Sequence, residues 1–379
     1  MTSEIREFQI FAKPVGARCN LSCLYCYYLD KEYINADSAA GCMNDEVLEL
    51  YIRQHIEAST GKEIFFSWHG GEPTLAGLDF FRKAVTIQEA YMPAGRTIRN
   101  GIQTNATLIT DEWAKFFLDE NFYVGISLDG PEFFHNFSRT HGGGNGTFEE
   151  VVRGLEILKR YNVPHEFLCV VSNSNVSSPL ELYRFFKDLG SSYITFLPMV
   201  EEAGKSSGKA TPLSVRPVDF GKFLVAIFDE WIEEDIGKVK VQIFEEALRT
   251  AFRQEHTLCI FKPVCGGVPV VEMNGDFYSC DHYVDPENRI GNIQATPISV
   301  MLDHPRQKSF GADKWYTLPH YCLDCEVLDM CNGECPKNRF TTTPAGEPGL
   351  NYLCEGYRYF FNHCIPFVSE VARLWGDES

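Results

Sequence analysis

What this 379-residue chain lacks narrows its function first. It has no basic block, and its 34 Lys and Arg stand against 52 Asp and Glu, a formal charge of −18. Such a field repels phosphate backbones and anionic lipid surfaces. Nucleic acid and membrane are therefore excluded as expected partners, and a basic peptide or small cation suits the field better. No window approaches the roughly 18 uninterrupted apolar residues of a membrane span. The opening MTSEIREFQI has neither the apolar stretch nor the small-residue cleavage site of a secretory signal. A cytoplasmic location is expected. No repeat of fixed period is visible. The glycine-rich stretch 142–146 lacks the strand–GxGxxG–helix or GKS/T setting of a phosphate loop and reads as a plain connection.

Cysteine, by contrast, is abundant: fourteen in a chain whose 44% hydrophobic content can bury a full core without covalent staples. Disulfides are disfavoured in a reducing cytosol. The distribution is uneven, with three cysteines in 19–26 and eight in 259–354, and clustering of that kind points to metal thiolate sites. Cys42, Cys169 and Cys364 fall outside both groups and read as ordinary thiols, which pack as small hydrophobes.

Short apolar strands alternate with amphipathic helices through the first 200 residues. Strands are predicted at 8–13, 64–68, 97–103, 123–127, 166–171 and 193–198. Helices are predicted at 45–59, 78–91, 111–120, 148–161 and 179–189. Thr147 with Glu150, and Ser178 with Pro179 and Glu181, read as helix starts, and Gly190 as a stop. Repeated strand–helix units imply a parallel sheet with helices outside. Six units are too few for a closed eight-fold barrel, so an open, partial one is expected. Polar 201–217 reads as a long loop and 218–234 as a helix. A Cys-rich region with little regular structure follows, and then a final aromatic-rich helix over 355–375. The domains are expected at 1–235 and 236–379.

The run Cys19-Asn-Leu-Ser-Cys23-Leu-Tyr-Cys26 places three thiolates on one tight loop after the first strand. Three protein ligands on a four-iron cube leave one iron open to a substrate. The competing reading is zinc, but structural zinc takes four closed ligands, and no fourth stands nearby. This CxxxCxxC, with Tyr25 before its third Cys, resembles the radical S-adenosylmethionine (SAM) enzymes. In that family SAM chelates the open iron and is cleaved to a 5′-deoxyadenosyl radical. The resemblance continues at successive strand ends, in Gly70-Gly71-Glu72-Pro73, Gln103-Thr104-Asn105 and Ser127-Leu-Asp-Gly-Pro. It implies that Tyr25, Gly70, Gly71, Glu72, Gln103, Asn105, Ser127, Arg153 and Leu197 contact SAM. The carboxyl ends of strands form the active-site face in α/β barrels, so this placement is independently sensible.

Downstream stand Cys259, Cys265, Gly275-x4-Cys280, Cys322-x2-Cys325-x5-Cys331-x3-Cys335 and Cys354. Eight thiols suffice for two fully ligated four-iron cubes, while a pair of zinc knuckles is the competing reading. The spacing resembles the SPASM extension of radical SAM enzymes. That resemblance implies one auxiliary cluster on Cys259, Cys265, Cys280 and Cys335 and a second on Cys322, Cys325, Cys331 and Cys354. With the CxxxCxxC cluster this makes three [4Fe-4S] clusters, together with SAM.

Within the SPASM group the chain is similar to the anaerobic sulfatase-maturating enzymes. The similarity is carried by GGEPTLAGL (70–78), Asp-Gly-Pro-x3-His-Asn-x2-Arg (129–139), Cys280-Asp281 and Asn351-Tyr352-x-Cys354. It implies oxidation of a sulfatase Cys or Ser to Cα-formylglycine. The substrate would be an unfolded or nascent sulfatase polypeptide, and the electron donor a flavodoxin or ferredoxin. Asp281, beside a cluster ligand, is the candidate general base, with a capping loop carboxylate as the plainer alternative. Tyr28 and His69 are expected on the peptide side of the pocket, although His69 reads equally as a packing residue. Two rival functions are a maturase forming crosslinks in a small ribosomal peptide and a non-catalytic iron–sulfur or zinc protein. The second leaves the strand-end motifs without a purpose.

Overall fold

Strand and helix alternate through the first 200 residues as the periodicity predicts. The computed structural model describes residues 8–29, 31, 34, 41–204 and 206–378. The strands are β1 (Phe11–Lys13), β2 (Glu63–Trp68), β3 (Thr97–Thr104), β4 (Phe122–Ser127), β5 (His165–Val171), β6 (Tyr193–Pro198) and a short β7 (Lys240–Val241). The helices among them are α1 (Asp45–Ala58), α2 (Leu78–Tyr91), α3 (Asp111–Asp119), α4 (Glu132–Ser138), α5 (Phe148–Arg160), α6 (Pro179–Asp188) and α7 (Pro217–Glu234). The chain forms two compact units that interleave along the sequence. One holds residues up to Ser127, Ser138–His165 and Gly266–Gly311, and the other holds Leu128–Phe137, Glu166–Cys265 and Ala312 onward.

In the first unit β1 to β4 run parallel in sequence order. On the far side of β1 lies β8 (Val270–Glu272), also parallel, followed by antiparallel β9 (Asp276–Tyr278) and β10 (Arg289–Asn292). Within this unit the sheet is open, running β10-β9-β8-β1-β2-β3-β4. Its core is aromatic: Tyr51, Phe66, Trp68, Phe81 and Phe117 are fully buried, with mostly edge-on ring contacts such as Trp68 to Phe81 at 5.6 Å. The one polar atom this packing buries on Trp68, its indole N–H, donates to Asn100 Oδ1 at 2.9 Å. The first helix starts where Asn44 accepts from the Val47 amide, and it buries Val47, Leu48, Tyr51, Ile52 and Ile56 at helical spacing.

In the second unit β5, β6 and β7 are parallel. Around them pack α7, α8 (Gln242–Ala251) and the C-terminal helix Cys354–Glu378. Phe228, Trp231, Phe244 and Phe360 supply the rings between these helices. Among the described residues no helix is long and apolar enough to cross a membrane.

Two local expectations need correction. Thr147 and Ser178 sit at helix N-caps, but neither side chain makes the capping bond. The Thr147 hydroxyl donates to the Arg139 carbonyl at 3.0 Å, and the Glu150 carboxylate is held by His141 at 2.7 Å. Tertiary partners have won over local caps. The Cys-rich region is also more regular than expected, holding α8, the β8–β10 ribbon and the helix Pro305–Tyr316. The 201–217 loop is pinned by an antiparallel bridge between Glu202 and Ala210.

Candidate functional site

The loop carrying Cys19, Cys23 and Cys26 leaves β1 and is fixed from two sides within the first unit. The Ser22 and Leu24 amides donate to the Thr140 and Ser138 carbonyls at 2.7 and 2.9 Å. On the other side the Gly71 and Glu72 amides donate to the Gly16 and Arg18 carbonyls, both at 2.9 Å. That approach leaves no room for a side chain, since a Cβ on Gly71 would stand 2.1 Å from Arg18 O and 2.5 Å from Ala17 O. Gly70, at φ +132°, makes the turn into this contact.

Glu72 is buried, 1% exposed. It accepts from the Thr74 amide (3.0 Å), the Thr74 hydroxyl (2.6 Å), the Thr104 hydroxyl (2.8 Å) and the Asn105 amide (2.8 Å). Burial pushes its carboxyl up, and these donors oppose that rise. Glu72 thus ties the ends of β2 and β3 together. Asn105 donates to Asn20 Oδ1 at 3.0 Å and approaches Cys19 Sγ at 3.9 Å, and Asn20 donates to the Thr107 hydroxyl at 2.9 Å. At the end of β3 Gln103 donates to the Ser127 hydroxyl at 2.9 Å. Arg153 lies on the surface of α5 and donates to the Thr107 carbonyl at 2.9 Å. It is brought there by Gly154, where a Cβ would stand 2.1 Å from Ala106 O. The Arg139 guanidinium sits 5.4 Å over the Tyr25 ring. Seven of the nine residues expected at SAM, namely Gly70, Gly71, Glu72, Gln103, Asn105, Ser127 and Arg153, thus surround the strand ends next to the cysteine loop. Leu197, on β6 in the second unit, is 38% exposed.

The β8–β9 ribbon brings Cys280 and Asp281 into the first unit. Asp281 is 8% exposed, and its carboxylate is 2.5 Å from the ammonium of Lys13, the last residue of β1. The Tyr27 hydroxyl donates to its other oxygen. Burial alone would raise the Asp281 carboxyl, but Lys13, with His69 and His282, outweighs it and holds the group well below the usual carboxylate range. Lys13 also lies 3.5 Å from His69 Nδ1 and 4.1 Å from the centroid of the Tyr28 ring. Burial and then Lys13 depress the His69 imidazole to about 4, so the ring is neutral, and it stacks flat on Phe11 at 4.5 Å.

Tyr28 is placed differently from the expectation. It is 2% exposed, packed with Ala17, Val270, Tyr278 and Val284, and its hydroxyl donates to buried Glu272. The tyrosine that reaches Asp281 is its neighbour Tyr27. Sequence reasoning missed Tyr27, Lys13 and Glu272. The available signal was a lone charge closing an otherwise apolar strand, in FAK for Lys13 and VVE for Glu272.

In the second unit Cys322, Cys325, Cys331 and Cys354 line a single pocket, with Tyr321, Gly333 and Arg358. Two single-turn helices, His320–Leu323 and Leu328–Cys331, present Cys322 and Cys331, the turn between them presents Cys325, and the C-terminal helix begins at Cys354. Burial, reinforced by neighbouring sulfurs, pushes the Cys331 and Cys354 thiols up to about 12 each. Such a set ionises together only around a polyvalent cation, which releases the thiol protons as it binds. Cys259 and Cys265 interact electrostatically, and Cys259 is raised to about 11 by burial first and then by Cys265. No disulfide joins any of the fourteen cysteines. Among the described residues no three thiols lie within 4.8 Å of one another. Tetrahedral zinc, with Zn–S bonds of about 2.3 Å, draws its thiolates to about 3.8 Å apart. Four cysteines around one pocket match the four thiolates that a closed iron–sulfur cube takes.

Comparison with known proteins agrees with this geometry. The Radical SAM superfamily model matches residues 14–186, and SPASM, an iron-sulfur cluster-binding domain, matches residues 265–326. A serine-type anaerobic sulfatase-maturating enzyme of Bacteroides thetaiotaomicron is 44% identical, covering 97% of this chain and 92% of that protein. A cysteine-type anaerobic sulfatase-maturating enzyme of Clostridium perfringens is 33% identical, covering 96% and 98%. Among solved structures, native anSMEcpe with bound AdoMet and Cp18Cys peptide matches with a TM-score of 0.86 at 32% identity, covering 96% of this chain and 98% of that one.

Proposed function

This chain belongs to the anaerobic sulfatase-maturating enzymes of the radical SAM superfamily, and from that premise we propose that it oxidises a Cys or Ser in a sulfatase polypeptide to Cα-formylglycine. The observation that carries the reading is Asp281, a buried carboxylate paired with Lys13 and hydrogen-bonded by Tyr27, in the same compact unit as the CxxxCxxC loop.

Cys19, Cys23 and Cys26 would hold the SAM-binding cluster, Cys322, Cys325, Cys331 and Cys354 would hold one auxiliary cluster, and Cys259, Cys265 and Cys335 would belong to the other. When bound, these groups and SAM supply the carbon radical that removes one Cβ hydrogen atom and an acceptor for the second electron. The protein residues do the rest. The ends of β2, β3 and β4, tied by Glu72 and the Gln103–Ser127 bond, fix where SAM lies relative to the loop. Such positioning is worth several orders of magnitude in rate.

After hydrogen removal the substrate side chain must lose one electron and one proton. Asp281 Oδ takes the thiol or hydroxyl proton. A Ser side chain then becomes the aldehyde directly. A Cys side chain becomes a thioaldehyde, which water converts to the aldehyde with release of hydrogen sulfide. Lys13 keeps Asp281 ionised and therefore able to accept. Removing either partner strands a buried charge, at a cost of about 3–5 kcal/mol. The substrate is an unfolded or nascent sulfatase segment, and a flavodoxin or ferredoxin supplies electrons.

The test is Asp281→Asn, assayed with SAM, a reductant and a sulfatase-type peptide. SAM cleavage should continue while formylglycine formation falls by a hundredfold or more, the usual scale for losing a general base. Undiminished aldehyde yield would remove Asp281 from the mechanism.

A further inference from the structure

Lys314 lies on the helix Pro305–Tyr316 and is 1% exposed. Its ammonium donates to the Cys259 carbonyl at 2.9 Å and the Ile260 carbonyl at 2.7 Å. Among the described residues no carboxylate comes within ion-pair distance of it. The nearby Glu334 is taken instead by the side-chain amides of Asn351 (2.5 Å) and Asn338 (3.1 Å). The groups that interact with Lys314 electrostatically are Cys265, Cys259, Glu334 and Cys335. A buried cation without a carboxylate partner costs several kcal/mol unless another anion compensates it. Here the compensating anions would be Glu334 and, with a cluster bound, three thiolates of one auxiliary set.

The other auxiliary site has cations of its own. Its cavity is lined by Arg358, but that guanidinium is bound at 2.8 and 3.1 Å to Glu326, and both side chains are more than 40% exposed. The pair is close to neutral and screened by water. Among the described residues Arg339 is also held by carbonyls alone, those of Gly333, Lys314, Asn332 and Glu334, and of the thiols it interacts most with Cys322, then with Cys265 of the other set and with Cys331.

We propose that Lys314 is a positioning residue that raises the reduction potential of the auxiliary cluster on Cys259, Cys265 and Cys335. A cluster gains one negative charge on reduction, and an adjacent fixed cation stabilises that state more than the oxidised one. Net charge and hydrogen bonding near the sulfurs are the terms that set such potentials. In turnover the electron comes from the substrate carbon radical and the matching proton goes to Asp281. The proposal rests on the assignment of these cysteines to a cluster.

The test is a potentiometric titration of the fully reconstituted protein, followed by electron paramagnetic resonance, on wild type, Lys314→Gln and Lys314→Arg. The Gln amide keeps donors for both carbonyls and removes the charge. One auxiliary signal should become at least tenfold harder to reduce, about 59 mV for a one-electron couple, while the other stays in place and Arg restores the wild-type value. Cys265→Ala identifies the signal: it should delete the one that shifts. If Cys265→Ala deletes no cluster, the cluster assignment itself is wrong. An unshifted potential in fully loaded Lys314→Gln, or a shift of both signals together, overturns the role of Lys314. Should the Gln variant load poorly, Lys314→Arg must recover both iron and potential. Iron loss in both variants would make Lys314 a packing residue and overturn the proposal as well.

Discussion

Gly71→Ala is the substitution whose effect follows most directly from the geometry. The added methyl would stand 2.1 Å from Arg18 O and 2.5 Å from Ala17 O, where ordinary contact begins at 3.4 Å. Both obstacles are backbone, so no side chain can swing aside. The 16–18 segment must retreat from the Gly70–Glu72 turn by about 1.3 Å along the closer contact, the difference between those two distances. That movement breaks or stretches the two amide–carbonyl bonds between the segments, each 2.9 Å long. Overpacking costs about 1–3 kcal/mol, and each lost hydrogen bond adds about 1 kcal/mol. The first unit should therefore lose about 3–5 kcal/mol. Arg18 directly precedes Cys19, so the displacement passes to a cluster ligand, and a misplacement of about 1 Å costs on the order of a hundredfold in rate. The assay is iron content, urea unfolding and reductive SAM cleavage, measured on the same preparations. The reasoning is refuted if Gly71→Ala keeps wild-type iron, stability and cleavage rate.

Two other predictions come from the loops that carry the cysteines. Glu246 on α8 is 2% exposed and accepts from the Thr257 amide (3.1 Å), the Leu258 amide (3.1 Å) and His256 Nδ1 (2.9 Å), organising the turn that delivers Cys259. Glu246→Ala should cost about 3–5 kcal/mol in urea unfolding, the scale for breaking a buried charged pair, and should lower iron loading; unchanged stability would refute this role. His141 offers Nδ1 to the Asn20 carbonyl at 3.3 Å and Nε2 to Glu150 at 2.7 Å. Both partners are acceptors, so the protonated ring donates to both, and the hydrogen bond to Glu150 raises its pKa above the ordinary 6.5. The tether is complete below about pH 6.5 and is lost as pH rises through the raised folded value. Chelator-driven iron release should accelerate about twofold to fivefold across that window, the scale of a partly exposed pair. The acceleration should be absent in His141→Asn, and an identical pH profile in the two proteins would contradict it.

The six strands and their helices were legible because each is a local pattern, alternation or helical spacing bounded by turn residues. Cap chemistry was not. Glu150 had a distant partner, His141, and a local pattern cannot rank a distant partner against a near one. The β8–β9 ribbon was hidden for a related reason. Three-residue strands carry almost no periodicity, and their pairing with β1 joins residues 11–13 to 270–272. That pairing brings Lys13 to Asp281, so Asp281 was reached through resemblance while its charge partner was not seen. The step from Tyr28 to Tyr27 has the same origin. On an irregular loop neighbouring side chains diverge, and only the fold decides that Tyr28 enters the core and Tyr27 meets the carboxylate.

The measurement that bears most directly on the central claim uses a sulfatase-type peptide deuterated at Cβ of its target residue, prepared in Cys and Ser versions. Reconstituted protein, SAM and reductant are added, and both the peptide and the released 5′-deoxyadenosine are analysed by mass spectrometry. Deuterium is expected in 5′-deoxyadenosine, together with a peptide of formylglycine mass that retains the second deuterium. Deuterium-free 5′-deoxyadenosine alongside an aldehyde product, or deuterium transfer that yields a crosslink in place of an aldehyde, would contradict it.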